Sequence, residues 1–84
     1  MRPYTVLWDE EAESKLADIW LKFPNRDAIT DSVSRIDNLL STDPIAHGED
    51  FYGDWLIVSH VLGVTFTVRP LDGVVMVLDV WSSS

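Results

Sequence analysis

The stretch 63–80, GVTFTVRPLDGVVMVLDV, contains two strand-like runs joined by a turn signal. In 64–68, valine and phenylalanine alternate with threonine, which is typical of a strand with one buried and one solvated face. In the strand-like run 74–81, residues 74–78 are apolar at successive positions, which favours a central strand covered on both faces. The sequence PLDG at 70–73 is typical of a tight turn, because glycine adopts positive φ without strain. The stretch therefore predicts an antiparallel pair at the centre of a sheet.

Two further strands flank this pair in the sequence. Residues 55–60 form a strand-like run, and a turn built on Leu62 and Gly63 is predicted between it and the central pair. Residues 4–8 are rich in β-branched and aromatic side chains. The alternation predicts that three of these side chains share one face: Tyr4, Val6 and Trp8.

Two amphipathic helices are predicted between the first strand and the rest. Asp9 is a candidate N-cap, and the acidic residues that follow it suit a helix N-terminus. Apolar residues then recur at helical spacing up to Pro24: Ala12, Leu16, Ile19, Trp20 and Phe23. A second apolar series continues to about Ser41: Ile29, Val33, Ile36, Leu39 and Leu40. The short link between the two helices predicts an antiparallel hairpin.

The stretch 45–53 has no period and is interpreted as a loop. The predicted fold class is therefore α+β, with the order β-α-α-β-β-β, an antiparallel sheet and an N-terminal helical hairpin packed on one face. The whole length, 1–84, is interpreted as a single domain, because 84 residues are too few for a second core.

The composition argues against several classes of function. The chain has six basic and fourteen acidic residues, a net charge of −8, and no cysteine. Direct binding of nucleic acid is not expected, because that affinity comes from basic side chains at phosphates. The sequence contains no metal-ligand motif and no phosphate-binding glycine loop, so no cofactor and no metal are predicted. No segment is apolar enough for a membrane span or a signal peptide, so the expected location is the cytoplasm.

A few side chains are candidates for chemistry or recognition. His60 and Arg69 are the candidates for catalysis, if the protein is an enzyme at all. Aromatic residues anchor many protein interfaces, and four tryptophans in so short a chain are a high count. The residues proposed for partner binding are Phe51, Tyr52, Trp55, Arg69 and Trp81.

In their order these pieces resemble the RelE/ParE superfamily of bacterial toxins, in its ParE-like, plasmid-stabilisation branch. The opening Tyr4-x-Val6-x-Trp8 leads into a helix with Ala12, Leu16 and Ile19. The second helix closes with Ile36-Asp37-x-x-Leu40-x-x-x-Pro44-x-x-x-Gly48, similar to the family's exit from that helix. Gly63-Val64-x-Phe66-x-Val68 and the strand 74–80 stand where the family has its paired central strands.

The resemblance implies a small toxin that is neutralised by an antitoxin and that either poisons DNA gyrase or cleaves mRNA on the ribosome. Members that cleave mRNA carry lysine and arginine on the second and third strands of the family fold. Here the corresponding positions are Leu56, Val58 and Ser59, and the third strand opens with Gly63, Val64 and Thr65. No catalytic residue is therefore transferred from the family.

Three hypotheses follow. The first is a ParE-like toxin-family protein that acts by binding proteins, with an antitoxin and DNA gyrase as candidate partners, or a diverged member that has lost its toxicity. The second is a RelE-like ribosome-dependent endoribonuclease that uses Arg69 and His60. The third is a non-toxic domain that binds proteins or forms a homodimer.

Overall fold

A computed structural model describes residues 4–83, so residues 1–3 and 84 of the predicted domain lie outside it. Eight elements follow one another in these residues. They are β1 (Thr5–Trp8), α1 (Glu10–Lys22), α2 (Arg26–Thr42), α3 (Pro44–His47), β2 (Glu49–Phe51), β3 (Asp54–Ser59), β4 (Leu62–Arg69) and β5 (Val74–Ser82). The α+β class and the two long helices are confirmed.

The five strands form one sheet in the order β1-β5-β4-β3-β2. The strands β2 to β5 are antiparallel neighbours, as predicted for the central pair. The sheet is not antiparallel throughout, however, because β1 runs parallel to β5, with Val6 opposite Val75. β5 thus lies between β1 and β4, and its predicted central position is confirmed.

The stretch predicted as a loop is largely ordered. Asp43 caps α3 by accepting from the Ala46 N–H, and the chain then enters β2. β2 and β3 are joined by Tyr52 and Gly53, which both have positive φ, at 51° and 91°. A two-residue hairpin loop with positive φ at both positions is a type I′ turn. Glycine at the second loop position is a sequence signal for this turn. The strand β2 was missed because three residues are too few to show an alternating pattern.

The turn between β3 and β4 also differs from the prediction. The loop residues are His60 and Val61, and the predicted turn residues Leu62 and Gly63 already belong to β4. His60 takes the positive φ of this turn, 59°. The turn at 70–73 lies where it was predicted, with the Gly73 N–H donating to the Pro70 carbonyl.

The core lies between the helices and one face of the sheet. The buried apolar side chains of the strands belong to that face: Ile57, Leu62, Val64, Phe66, Val75, Val77 and Val80. From the helices, Ala12, Ile29, Ile36 and Leu40 meet them, and Tyr4, Val6 and Trp8 pack around the same cluster, as the alternation predicted. Trp20 is an exception to the predicted helix face, because it is exposed, with the Arg26 guanidinium 4.6 Å above its ring.

A β-bulge lets β5 keep its apolar residues in this core. Phe66 pairs with Val77 and Thr65 pairs with Asp79, so Leu78 is an extra residue in β5. Simple alternation after Val77 would turn Asp79 towards the helices and Val80 away from them. The extra residue reverses this, and Val80 is 2% exposed. The bulge thus keeps a carboxylate out of the core.

One buried polar group ties α2 to the sheet. The Ser32 hydroxyl, completely buried, donates to the Ala28 carbonyl at 2.8 Å and accepts from the Val61 N–H at 3.1 Å. Val61 is a loop residue of the β3–β4 turn, so this contact holds the turn against the helix. Sequence periodicity does not reveal it, because serine carries no apolar signal.

We expect Ser32→Ala to lower the free energy of unfolding by about 1–3 kcal/mol, because the part-buried Val61 N–H loses its acceptor. Urea unfolding measures the change. The matched control is Ser34→Ala, also on α2 but exposed, where the better helix propensity of alanine stabilises by about 0.5 kcal/mol. Equal effects of the two substitutions would contradict the role assigned to Ser32.

Candidate functional site

Within residues 4–83, the two long helices α1 and α2 both pack on the first face of the sheet and leave the second face uncovered by either. We call it the open face. The register aligns its side chains in rows across the strands: Leu7, Met76 and Thr67 form one, and Glu49, Leu56, Thr65 and Asp79 form another. A third row consists of Val58, Gly63 and Trp81.

The open face is apolar for a surface. Its side chains include Leu7, Phe51, Val58 and Leu78, which are 45%, 41%, 52% and 36% exposed. Leu56, Met76 and Trp81 are half-buried between them. The predicted burial of β5 on both faces is therefore wrong, because Leu78 is 36% exposed. Leu7 adjoins Met76 across the strands, and Val58 and Trp81 lie on either side of Gly63. Apolar side chains that adjoin one another, rather than single ones, mark interaction surfaces.

Trp81 lies flat on β4 within this face. Gly63 is its cross-strand partner, and a Cβ added to Gly63 would be 2.5 Å from Cε2 of the Trp81 ring. The neighbours of Gly63 in β4, Leu62 and Val64, point to the helices, so the space above Gly63 belongs to the open face. The missing side chain is replaced by the indole, which explains a glycine in the middle of a sheet.

A hollow of about 180 Å³ opens at one edge of the open face. It is lined by His47, Glu49, Leu56, Ile57 and Val58. β2 is short and pairs only with Asp54, Trp55 and Leu56. The rest of the β3 edge, from Ile57 to Ser59, has no neighbouring strand among the described residues, and the hollow lies beside it.

The predicted partner-binding residues do not form one cluster. Phe51 and Tyr52 lie together at the β2–β3 turn, their ring centroids 4.9 Å apart, and Tyr52 is 95% exposed. Arg69 is exposed at the same end of the sheet, where β4 leaves it. Trp81 is near the opposite end, and Trp55 faces the helices and packs against the core. Trp55 therefore serves the fold.

The two candidates for catalysis are also apart. His60 precedes β4 and Arg69 ends it, so the eight residues of the strand separate them. At a rise of about 3.3 Å per residue this is more than about 20 Å. The two side chains cannot act on one reacting group.

Basic side chains are concentrated on the helices. Of those in residues 4–83, four belong to α1 and α2: Lys15, Lys22, Arg26 and Arg35. Arg69 is the one base carried by a strand in these residues. Lys15 is paired with Asp79 at 2.6 Å. Within residues 4–83, no group of three or more histidine, aspartate and glutamate side chains is placed to hold a metal ion.

Comparison with known proteins shows a similarity in structure. No protein-family model matches the chain, and no curated protein matches it either. Among solved structures, it is similar to a chain of the toxin–antitoxin complex RelBE2 from Mycobacterium tuberculosis, with a TM-score of 0.80. The match covers 98% of this chain and 93% of that one at 19% sequence identity.

The chain has a RelE-like fold. The resemblance predicted from the motifs is thereby confirmed at the level of the fold. At this identity the similarity concerns the backbone fold alone. Any function of the sheet has to be argued from the side chains that this sequence places on it.

That chemistry identifies residues that the sequence analysis missed. Leu7, Met76 and Leu78 were assigned to strands but not to a surface. The signal was apolar residues at both alternating positions of β1, β3 and β5, which indicates a strand apolar on both faces. Whether the second face is buried or open depends on what packs there, and no periodicity gives that.

None of the helices in residues 4–83 has both the length and the hydrophobicity that crossing a bilayer requires.

We expect Gly63→Ala to cost about 1–3 kcal/mol of stability, because the new methyl group overlaps the Trp81 ring. In a Trp81→Ala background the same substitution should cost close to nothing. A double-mutant cycle in urea measures the difference. An equal cost of Gly63→Ala in both backgrounds would show that the indole does not lie on Gly63 in solution.

Proposed function

We propose that this protein is a ParE-like toxin-family member of a type II toxin–antitoxin system, of the plasmid-stabilisation kind, that acts in the cytoplasm by binding proteins. The observation that carries the proposal is the apolar open face on a RelE-like fold. Exposed apolar side chains that adjoin one another suit a protein partner, since burying them on binding is favourable.

The distribution of charge favours protein binding over RNA cleavage. A ribonuclease has to stabilise the negative charge that develops at the phosphate, and positioned lysine and arginine side chains supply this. Among residues 4–83, the bases at the open face are Arg69 and Lys15, and Lys15 is held in an ion pair with Asp79. Arg69 lies more than about 20 Å from His60 along the strand. The net charge of −8 opposes the approach of RNA as well.

An antitoxin is the first partner that we propose. The structural relative is itself a toxin–antitoxin complex. Two features of this chain suit such a partner: the open face, and the uncovered edge of β3, which can accept an added strand. DNA gyrase is the proposed cellular target, because poisoning it requires no ribonuclease residues.

Induced expression in a bacterial host tests the proposal, with growth, nucleoid morphology and mRNA integrity followed together. We expect growth arrest with filamentation and intact mRNA, relieved by co-expression of the product of the neighbouring gene. Phe66→Asp is the negative control, because a carboxylate at this fully buried position should prevent folding. Undisturbed growth would favour the non-toxic or homodimeric domain instead.

Arg69→Ala separates protein binding from RNA cleavage. We expect this variant to arrest growth within about twofold of the parent protein, since Arg69 is an exposed single charge. The matched control is Arg35→Ala, an exposed arginine on α2. Loss of arrest in Arg69→Ala alone, together with ribosome-dependent mRNA cleavage by the parent protein, would establish the endoribonuclease.

A further inference from the structure

The edge of the open face combines apolar and acidic groups. The apolar residues Leu56 and Val58 and the acidic residue Glu49 all line the 180 Å³ hollow. Glu49 is exposed and pairs across the strands with Leu56. Such a hollow matches a lysine or arginine side chain, whose aliphatic stem contacts apolar groups while its head reaches an acid.

The surroundings of the hollow strengthen this charge preference. Asp54 lies on the open face too, opposite Phe51 and two positions along β3 from Leu56, the partner of Glu49. His47 also lines the hollow. Of the two bases at this face in residues 4–83, Lys15 is paired with Asp79, and Arg69 lies towards the β4–β5 turn, opposite Val74.

We infer that the open face receives a basic, amphipathic segment of a protein partner, whose apolar residues cover Leu7, Met76 and Leu78 and whose lysine or arginine enters the hollow beside Glu49. The inference rests on the proposed function and names the chemistry of its partner. The partner segment has to be basic, because Glu49, Asp54 and the net negative charge of this protein would repel an acidic segment.

A second copy of this chain fits the face less well. A symmetric pair of open faces would bring together two molecules that each carry a charge of −8. A single-stranded nucleic acid would place phosphates beside the same carboxylates. A basic protein segment removes this repulsion and covers the apolar side chains at once.

Two short synthetic peptides probe the face directly. In one, lysine alternates with valine, and in the other, of equal length, glutamate alternates with valine. Binding is followed by fluorescence titration and by NMR shifts of the methyl groups of Leu7, Val58 and Met76. We expect the lysine peptide to bind and to shift these signals, and the glutamate peptide to leave them unchanged.

Two variants of equal net charge locate the contact. Glu49→Gln should weaken binding of the lysine peptide by about three- to fivefold, the size of one exposed ion pair. Glu11→Gln removes the same charge from an exposed position of α1 and should leave the affinity unchanged. Val58→Thr, which keeps the β-branched shape, should weaken binding by removing apolar contact at the hollow.

Three outcomes would overturn the inference: equal weakening by Glu49→Gln and Glu11→Gln, shifts confined to the helices, or tighter binding of the glutamate peptide. Binding of a single-stranded oligoribonucleotide at the same methyl groups would replace the protein segment with RNA. Growth arrest that persists although the lysine peptide does not bind would leave the proposed function standing and reject this surface alone. Normal growth together with binding of the lysine peptide would reject the proposed function and leave the binding surface standing.

Discussion

The antiparallel pairing of β4 with β5 holds the other elements of this protein in position. All eight residues of β4 have partners in β5, and Phe66 and Val77 meet at the centre of the core. β1 adds to the free side of β5, and β3 adds to the free side of β4. The helices then cover the one face on which both strands are consistently apolar. Hydrogen bonds and burial therefore reinforce each other at the same residues, which is what makes the pairing register definite.

The bulge at Leu78 determines which side chains this pairing buries. Without the extra residue, β5 would present Asp79 to the helices and lose Val80 from the core. With it, the core stays apolar and Asp79 is free to pair with Lys15. The displaced Leu78 is left on the open face, partly exposed. The bulge that keeps Asp79 out of the core thus also adds Leu78 to the apolar surface. One inserted residue therefore affects both the stability of the core and the candidate binding face.

The charges that border the open face define what that surface can bind. Glu49 and Asp54 lie on it, and Asp79 is paired there with Lys15 of α1. The helices α1 and α2 carry seven acidic and four basic residues, so the helical side of the sheet is acidic as well. A RelE-like backbone with this charge pattern is suited to a protein segment and poorly suited to phosphates. The fold alone does not decide between these, because the same backbone carries whichever side chains the sequence supplies.

Local sequence patterns were sufficient to predict the elements that depend on interactions between residues close together in the chain. Helical spacing located α1 and α2, Asp9 and the acids after it marked a helix start, and alternation assigned Tyr4, Val6 and Trp8 to one face. The motif order was sufficient for the resemblance to the RelE/ParE superfamily. Tertiary structure alone decided the parallel pairing of β1, the three-residue strand β2, the contact of Ser32 with Val61 and the separation of His60 from Arg69. Each of these depends on residues far apart in the chain, or on segments too short to show a period. The open face belongs with them, since a strand that is apolar on both sides looks the same in sequence whether its second side is covered or left free for a partner.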